Sequence, residues 1–139
     1  MSHKFKISID IHGVIDELPQ FFSHMSHSLV NSGMEVHIVT GGSYTRAERE
    51  LKMYDISYTH LFSILDHHKN IGTPTFGNHP MYGFPMIDDD IWDKTKGVYC
   101  DEHGIHLHLD DTIAYGDSFT TPFAKVWTKT KGEKYKHKL

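Results

Sequence analysis

The chain has 139 residues, a length that fits one domain and excludes two full catalytic ones. Hydrophobic residues at 38% and charged residues at 23% support a packed core, and a formal net charge of −4 does not favour a nucleic-acid scaffold. The single cysteine, Cys100, excludes an internal disulfide and a Cys-rich zinc module, whereas 13 histidines raise the question of a metal site.

Residues 5–10, Phe-Lys-Ile-Ser-Ile-Asp, alternate apolar and polar side chains as a strand does. Residues 17–30 carry Leu18, Phe21, Phe22, Met25, Leu29 and Val30 at helical spacing, and Asn31-Ser-Gly33 supplies a stop. Residues 34–39 form a second strand pattern, and Thr40-Gly-Gly-Ser43 a turn. Ser43 is placed to cap a helix over residues 44–54. Residues 56–64 read as a short third strand. Residues 66–90 hold His67-His68 and interspersed Gly and Pro without periodicity, and are expected to be a loop or small flap. A helix follows over residues 91–103, its start matched to the helix dipole by Asp88-Asp89-Asp90. Strands are expected at residues 105–109 and 123–127. Residues 1–128 are therefore read as one domain, and 129–139 as a basic, frayed tail.

Alternation of strands and helices predicts an α/β domain with a mainly parallel, Rossmann-like sheet, whose site lies beyond the carboxyl ends of the strands. Three strands end in polar residues: Asp10, followed by Ile-His12-Gly13; Thr40, followed by Gly41-Gly42; and Asp110-Asp111. Carboxylates suit Mg²⁺, and glycine amides suit phosphate. His106 and His108, two apart, share a strand face with the polar face of Lys6, Ser8 and His37. One sheet face is thus expected to be apolar and the other to hold polar contacts, a subunit interface or, as an alternative, a histidine-bound transition metal such as zinc.

The stretch Ile7-Ser-Ile-Asp10-Ile-His12-Gly13-Val14, the strand ending Val39-Thr40-Gly41, a lysine at a helix start (Lys94 or Lys96) and the acidic pair Asp110-Asp111 resemble, in order, the four motifs of the haloacid dehalogenase superfamily. The resemblance spans residues 4–111. It implies a HAD-like fold and an Mg²⁺-dependent phosphatase, with Asp10 as nucleophile. The ion would be held by Asp10, the His12 carbonyl, and Asp110 with or without Asp111. Phosphate would be held by Thr40, Gly41 and Gly42. Lys96 is preferred to Lys94 as the motif lysine because Gly97 permits close backbone approach. The departure is His12, where phosphatases of this superfamily place a second aspartate as general acid–base. Histidine transfers protons near neutral pH, so a working hydrolase is the first reading and a catalytically weak or inactive binder of a phosphorylated ligand the second.

The segment 66–90 stands where a small cap would enter and leaves the crevice open. Phe76, Tyr82, Phe84 and Trp92 either stack on a base or sugar or pin the segment to the domain. The expected ligand is a phosphorylated small molecule or nucleotide, with a second copy of the chain as a conceivable lid. No membrane association is expected, and the cytoplasm is the expected location.

Overall fold

In the computed structural model, residues 4–126 are described. Five strands form one sheet in the order β3-β2-β1-β4-β5, with every neighbouring pair parallel. In chain order the elements are β1 (Lys6–Ile9), a tight turn (Ile11–Ile15), α1 (Pro19–Asn31), β2 (Glu35–Thr40), α2 (Tyr44–Met53), β3 (His60–Ser63), α3 (Ile64–Ile71), α4 (Asp89–Glu102), β4 (Leu107–Asp110), a 3₁₀ turn (Ile113–Ser118) and β5 (Phe123–Lys125). This is the predicted α/β architecture. The chain runs from β1 outward to β2 and β3, then returns to place β4 on the other side of β1. The strand order therefore reverses between β1 and β4, the switch point at whose carboxyl ends sheets of this kind bind ligands.

The two sheet faces differ as the alternation requires. Ile7, Ile9, Val36 and Ile38 pack with the turn residues Ile11, Val14 and Ile15, with Phe22 of α1, and with Ala47 and Leu51 of α2. On the opposite face, strand register lines up His60, His37, Ser8, His108 and Phe123 in a row across all five strands. Helix α4 lies over that row and brings Tyr99 and Cys100 into a smaller core with Val39 and Ile105. Ser8, His37 and His108 of this row are buried beneath the helix, whereas His60 is exposed at the sheet edge.

Three local expectations need correction. The third strand covers only His60–Ser63, and Ile64 already begins α3. The segment 66–90 is not a continuous loop. Ser63 caps α3 by accepting from the Asp66 amide, and Gly72, at φ 73°, ends it in the left-handed conformation. Beyond α3, the chain pairs with itself: Phe76 N–H donates to Met86 O at 2.9 Å, and His79 N–H to Phe84 O at 2.7 Å. His79, Tyr82, Phe84 and Trp92 then stack in sequence, so Phe84 and Trp92 tie this ribbon to α4. The expected strand at 105–109 begins only at Leu107. Trp127 and the tail 129–139 lie outside the described residues.

Candidate active site

Asp10 follows β1 directly, and its side chain falls on the same face as Ser8. Asp110 ends β4 on the adjacent strand and is fully buried. Lys96, about two turns into α4, drops between them: its Nζ is 2.8 Å from Asp110 Oδ2 and 3.3 Å from Asp10 Oδ1. Gly97 lets the 3₁₀ turn pack closely on α4, because a side chain there would meet the Ser118 carbonyl oxygen at 2.7 Å. Of the two lysines, Lys96 is the one that lies between these carboxylates. Lys94 lies about 200° around the helix from Lys96. It is exposed and lines a separate groove of about 570 Å³ with Tyr44, Phe62, His67 and Tyr99. It is not part of the carboxylate cluster.

Asp110 has both oxygens engaged. Oδ2 accepts from Lys96 and, at 2.9 Å, from His108 Nε2; Oδ1 accepts from the Thr112 amide at 3.1 Å. With Nε2–H given to Asp110, His108 Nδ1 accepts from Ser8 Oγ at 2.6 Å, and Cys100 Sγ lies 3.3 Å from the same hydroxyl. Burial alone would raise the Asp110 carboxyl, but the Lys96 charge and the His108 hydrogen bond outweigh it and hold it well below the usual carboxylate range. Lys96 is subject to the converse balance: burial disfavours its charge, yet Asp10 and Asp110 keep it protonated.

Asp10 behaves differently. Burial and the neighbouring Asp110 charge push its carboxyl well above the ordinary range, against the opposing pull of Lys96. Asp111, raised by burial and by Asp110, is only partly buried and packs on Gly13. Gly13 is required twice over. Its φ is 85°, and any side chain would collide with the Asp111 carboxylate. Asp10, Asp110 and Asp111 each offer an oxygen within 4.8 Å of the others. Three carboxylates facing one ammonium leave the cluster short of positive charge, and an all-oxygen donor set is what Mg²⁺ takes. The residues present fit that ion.

His12 sits on the turn after Asp10 with its ring directed to α2, where Nε2 donates to Glu50 Oε2 at 2.6 Å; the side chain is 36% exposed. Glu50 also accepts from Arg46 Nε at 2.8 Å. Thr40 is buried at the end of β2, and its Oγ1 accepts from the Gly42 amide at 3.3 Å. The Gly42 amide is thus already engaged. The Gly42 carbonyl accepts from Ser63 Oγ at 2.6 Å, and Asp66 Oδ2 accepts from the Tyr44 amide at 2.6 Å, so β3 and α3 brace the glycine turn. Trp92 packs against Gly41 and donates through Nε1 to Tyr115 Oη at 3.1 Å, and the Tyr115 ring lies 4.5 Å from Lys96 Nζ. An aromatic wall therefore flanks the lysine.

Other candidates fall elsewhere. Asp88 caps α4 through Oδ1, as the helix-dipole reading expects. His68 joins α3 to α4 by hydrogen bonds to Thr73 and Thr95. His106 and His108 do not converge on an ion, because His106 Nδ1 accepts from the Lys6 amide while both His108 nitrogens are taken. Glu50, Ser8, Ser63, Asp66 and Tyr115 were not visible as site-shaping residues in sequence, since each acts on a partner brought near only by the fold.

The chain matches no protein-family model and no curated protein sequence. Among solved structures it is similar to the core domain of a provisionally assigned phosphoglycolate phosphatase from Streptococcus pneumoniae TIGR4, at 11% identity and a TM-score of 0.49, over 99% of this chain and 98% of that one. At that score the likeness decides nothing about this chain. Among the described residues, no helix is long and apolar enough to cross a membrane.

Proposed function

We propose that this chain is an Mg²⁺-dependent phosphomonoester hydrolase acting through an aspartyl-phosphate, in the manner of the haloacid dehalogenase superfamily that its motifs resemble. One observation carries the reading: Asp10, Asp110, Asp111 and a buried Lys96 meet where the strand order reverses. Asp10 and Asp111 would hold the ion with the His12 carbonyl, since Asp110 is already committed to Lys96, His108 and the Thr112 amide. When bound, the ion supplies the positive charge that lets an anionic phosphate approach an anionic nucleophile.

Asp10 attacks phosphorus, the ester P–O bond breaks, and His12 gives its proton to the departing oxygen. His12, now neutral, removes a proton from water, and the resulting attack on the phosphoryl group frees Asp10 and phosphate. Glu50 takes the Nε2 proton of the neutral ring in a hydrogen bond, which leaves Nδ1 as the working nitrogen. Lys96 balances charge at the nucleophile. Thr40 and the Gly41 amide would bind phosphate oxygens. The indole of Trp92 beside Gly41 favours a phosphoester with a planar group, such as a nucleotide. A cytoplasmic site of action fits such a substrate.

The purified chain should release phosphate from an aryl phosphate with Mg²⁺, lose that activity in EDTA, and lose at least about 10³-fold as Asp10→Asn. An Asp10→Asn variant as active as the parent overturns the nucleophile assignment. A specific observation also favours a second reading, a phosphate-ester binder without turnover: the His12 ring is drawn toward α2. His12→Asp separates the two. Turnover in either form supports the hydrolase, and phosphate-ester binding without turnover in both supports the binder.

A further inference from the structure

The polar face carries a second cluster at the opposite end of the strands from Asp10. Glu35 and His60 begin β2 and β3, and His37 pairs in register with His60. His37 Nε2 lies 2.8 Å from Glu35 Oε1, and His60 Nδ1 lies 4.0 Å from the same oxygen. The two imidazoles stack 4.0 Å apart with planes within 4°. All three residues offer a ligand atom within 4.8 Å of the others.

We propose that Glu35, His37 and His60 form a binding site for a borderline divalent transition-metal ion, of which zinc(II) is the type, independent of the carboxylate crevice. Two imidazole nitrogens and one carboxylate oxygen match zinc and do not match Mg²⁺. The ring that would anchor the ion is already oriented, because Tyr99 Oη lies 2.7 Å from His37 Nδ1. A hydroxyl behind a ligating histidine is the outer support such sites use. When the ion takes Nε2, the ring proton passes to Nδ1 and Tyr99 Oη accepts it, so His37 stays neutral.

Exposure rises across the cluster, from 1% at His37 through 21% at Glu35 to 46% at His60, which provides an entry path to a buried ligand. The Glu35–His37–Tyr99 hydrogen-bond chain is complete without His60. His60 instead stands on the edge strand β3, held by a bond from its Nδ1 to Thr59 Oγ1 at 2.8 Å. Ion–nitrogen distances of about 2.0–2.1 Å require His60 to turn out of the stack and exchange that bond for the metal. Three protein ligands leave a fourth position for water. A bound ion would cross-link β2 to the sheet edge.

The test is calorimetric titration of zinc(II) into untagged, chelator-stripped full-length protein, with excess Mg²⁺ present to occupy carboxylates. One equivalent should bind with micromolar affinity or better. His60→Ala and Glu35→Gln should each weaken it about tenfold or more, with unchanged circular dichroism and unchanged metal-free Tm, whereas Asp111→Asn should bind as the parent. Histidine-ring ¹⁵N spectra should show His37 and His60 shifting together on zinc addition. Failure of the parent to bind zinc, or parent-like binding by both His60→Ala and Glu35→Gln, overturns the site. Neither result bears on phosphatase activity.

Discussion

The two halves of the polar sheet face use the same residue types to different ends. Between β1 and β4, each carboxylate has a cationic or donor partner from above or below: Lys96 reaches both Asp10 and Asp110, and His108 holds Asp110 from its own strand. Between β2 and β3, Glu35 faces two imidazoles, and its carboxyl is lowered chiefly by the His37 hydrogen bond. The first half fixes a charge at the mouth of a crevice. The second stacks two imidazoles beside a single carboxylate. A histidine on this face is therefore defined by its neighbours: a donor to Asp110 at position 108, and a ring poised for a metal at position 37.

The contrast can be broken most severely at Lys96. Lys96→Met leaves two buried aspartates without their ammonium and should cost about 3–5 kcal/mol in urea unfolding. Lys94→Met, on the exposed side of the same helix, should stay within about 0.5 kcal/mol. Equal effects would place the charge balance elsewhere. At His12 the effect falls on rate: His12→Ala should lower kcat about 10²–10⁴-fold with little change in Tm. Glu50→Gln should cost less, about tenfold, because it loosens the ring without removing it. A Glu50→Gln variant with parental kcat would remove Glu50 from the acid–base unit.

Ser8→Ala strips His108 Nδ1 of its donor and should cost about 1–3 kcal/mol, read from urea midpoints. The smallest expected effect is on pH dependence. Burial lowers the pKa of His68, with a further push from the adjacent His67, and lowers those of His37 and His108 as well. A histidine kept neutral in the folded state binds fewer protons than the unfolded chain does. Its stabilising effect is therefore fully present above the unfolded value near 6.5 and is lost as the pH falls toward the folded value. Tm should decline as pH drops below 6.5, and His68→Gln should shallow that decline. A His68→Gln variant whose Tm falls on acidification as steeply as the parent's would contradict a neutral buried ring at that position.

What could be read from the chain before folding follows the range of the interactions. The alternation in residues 5–10 and 34–39 placed β1 and β2 to within a residue or so, since a strand's period is local. Ser43 announced α2 for the same reason, and it accepts from the Arg46 amide as a cap does. Helix α3 escaped because His67-His68-Lys69-Asn70 shows no apolar stripe; its stability comes from Ser63 at one end and from His68 reaching Thr95 on α4. Asp10 and the acidic pair were legible because strand ends converge in any parallel sheet. The role of Glu50 was not, because its partner lies 38 residues away and is reached only once α2 packs beside the turn. The separation of Asp110 from Asp111 also required the fold: only there does one acid receive three donors while the other, beside Gly13, accepts from the Thr112 hydroxyl.

The central claim is that Asp10 carries the phosphoryl group. Mixing the protein with an aryl phosphate and Mg²⁺, quenching in acid, and mapping the digest by mass spectrometry tests it directly. The account predicts a phosphoryl group on Asp10 in the parent and none in Asp10→Asn. Phosphate release with the label on another residue, or with Asp10 unmodified throughout turnover, would contradict it.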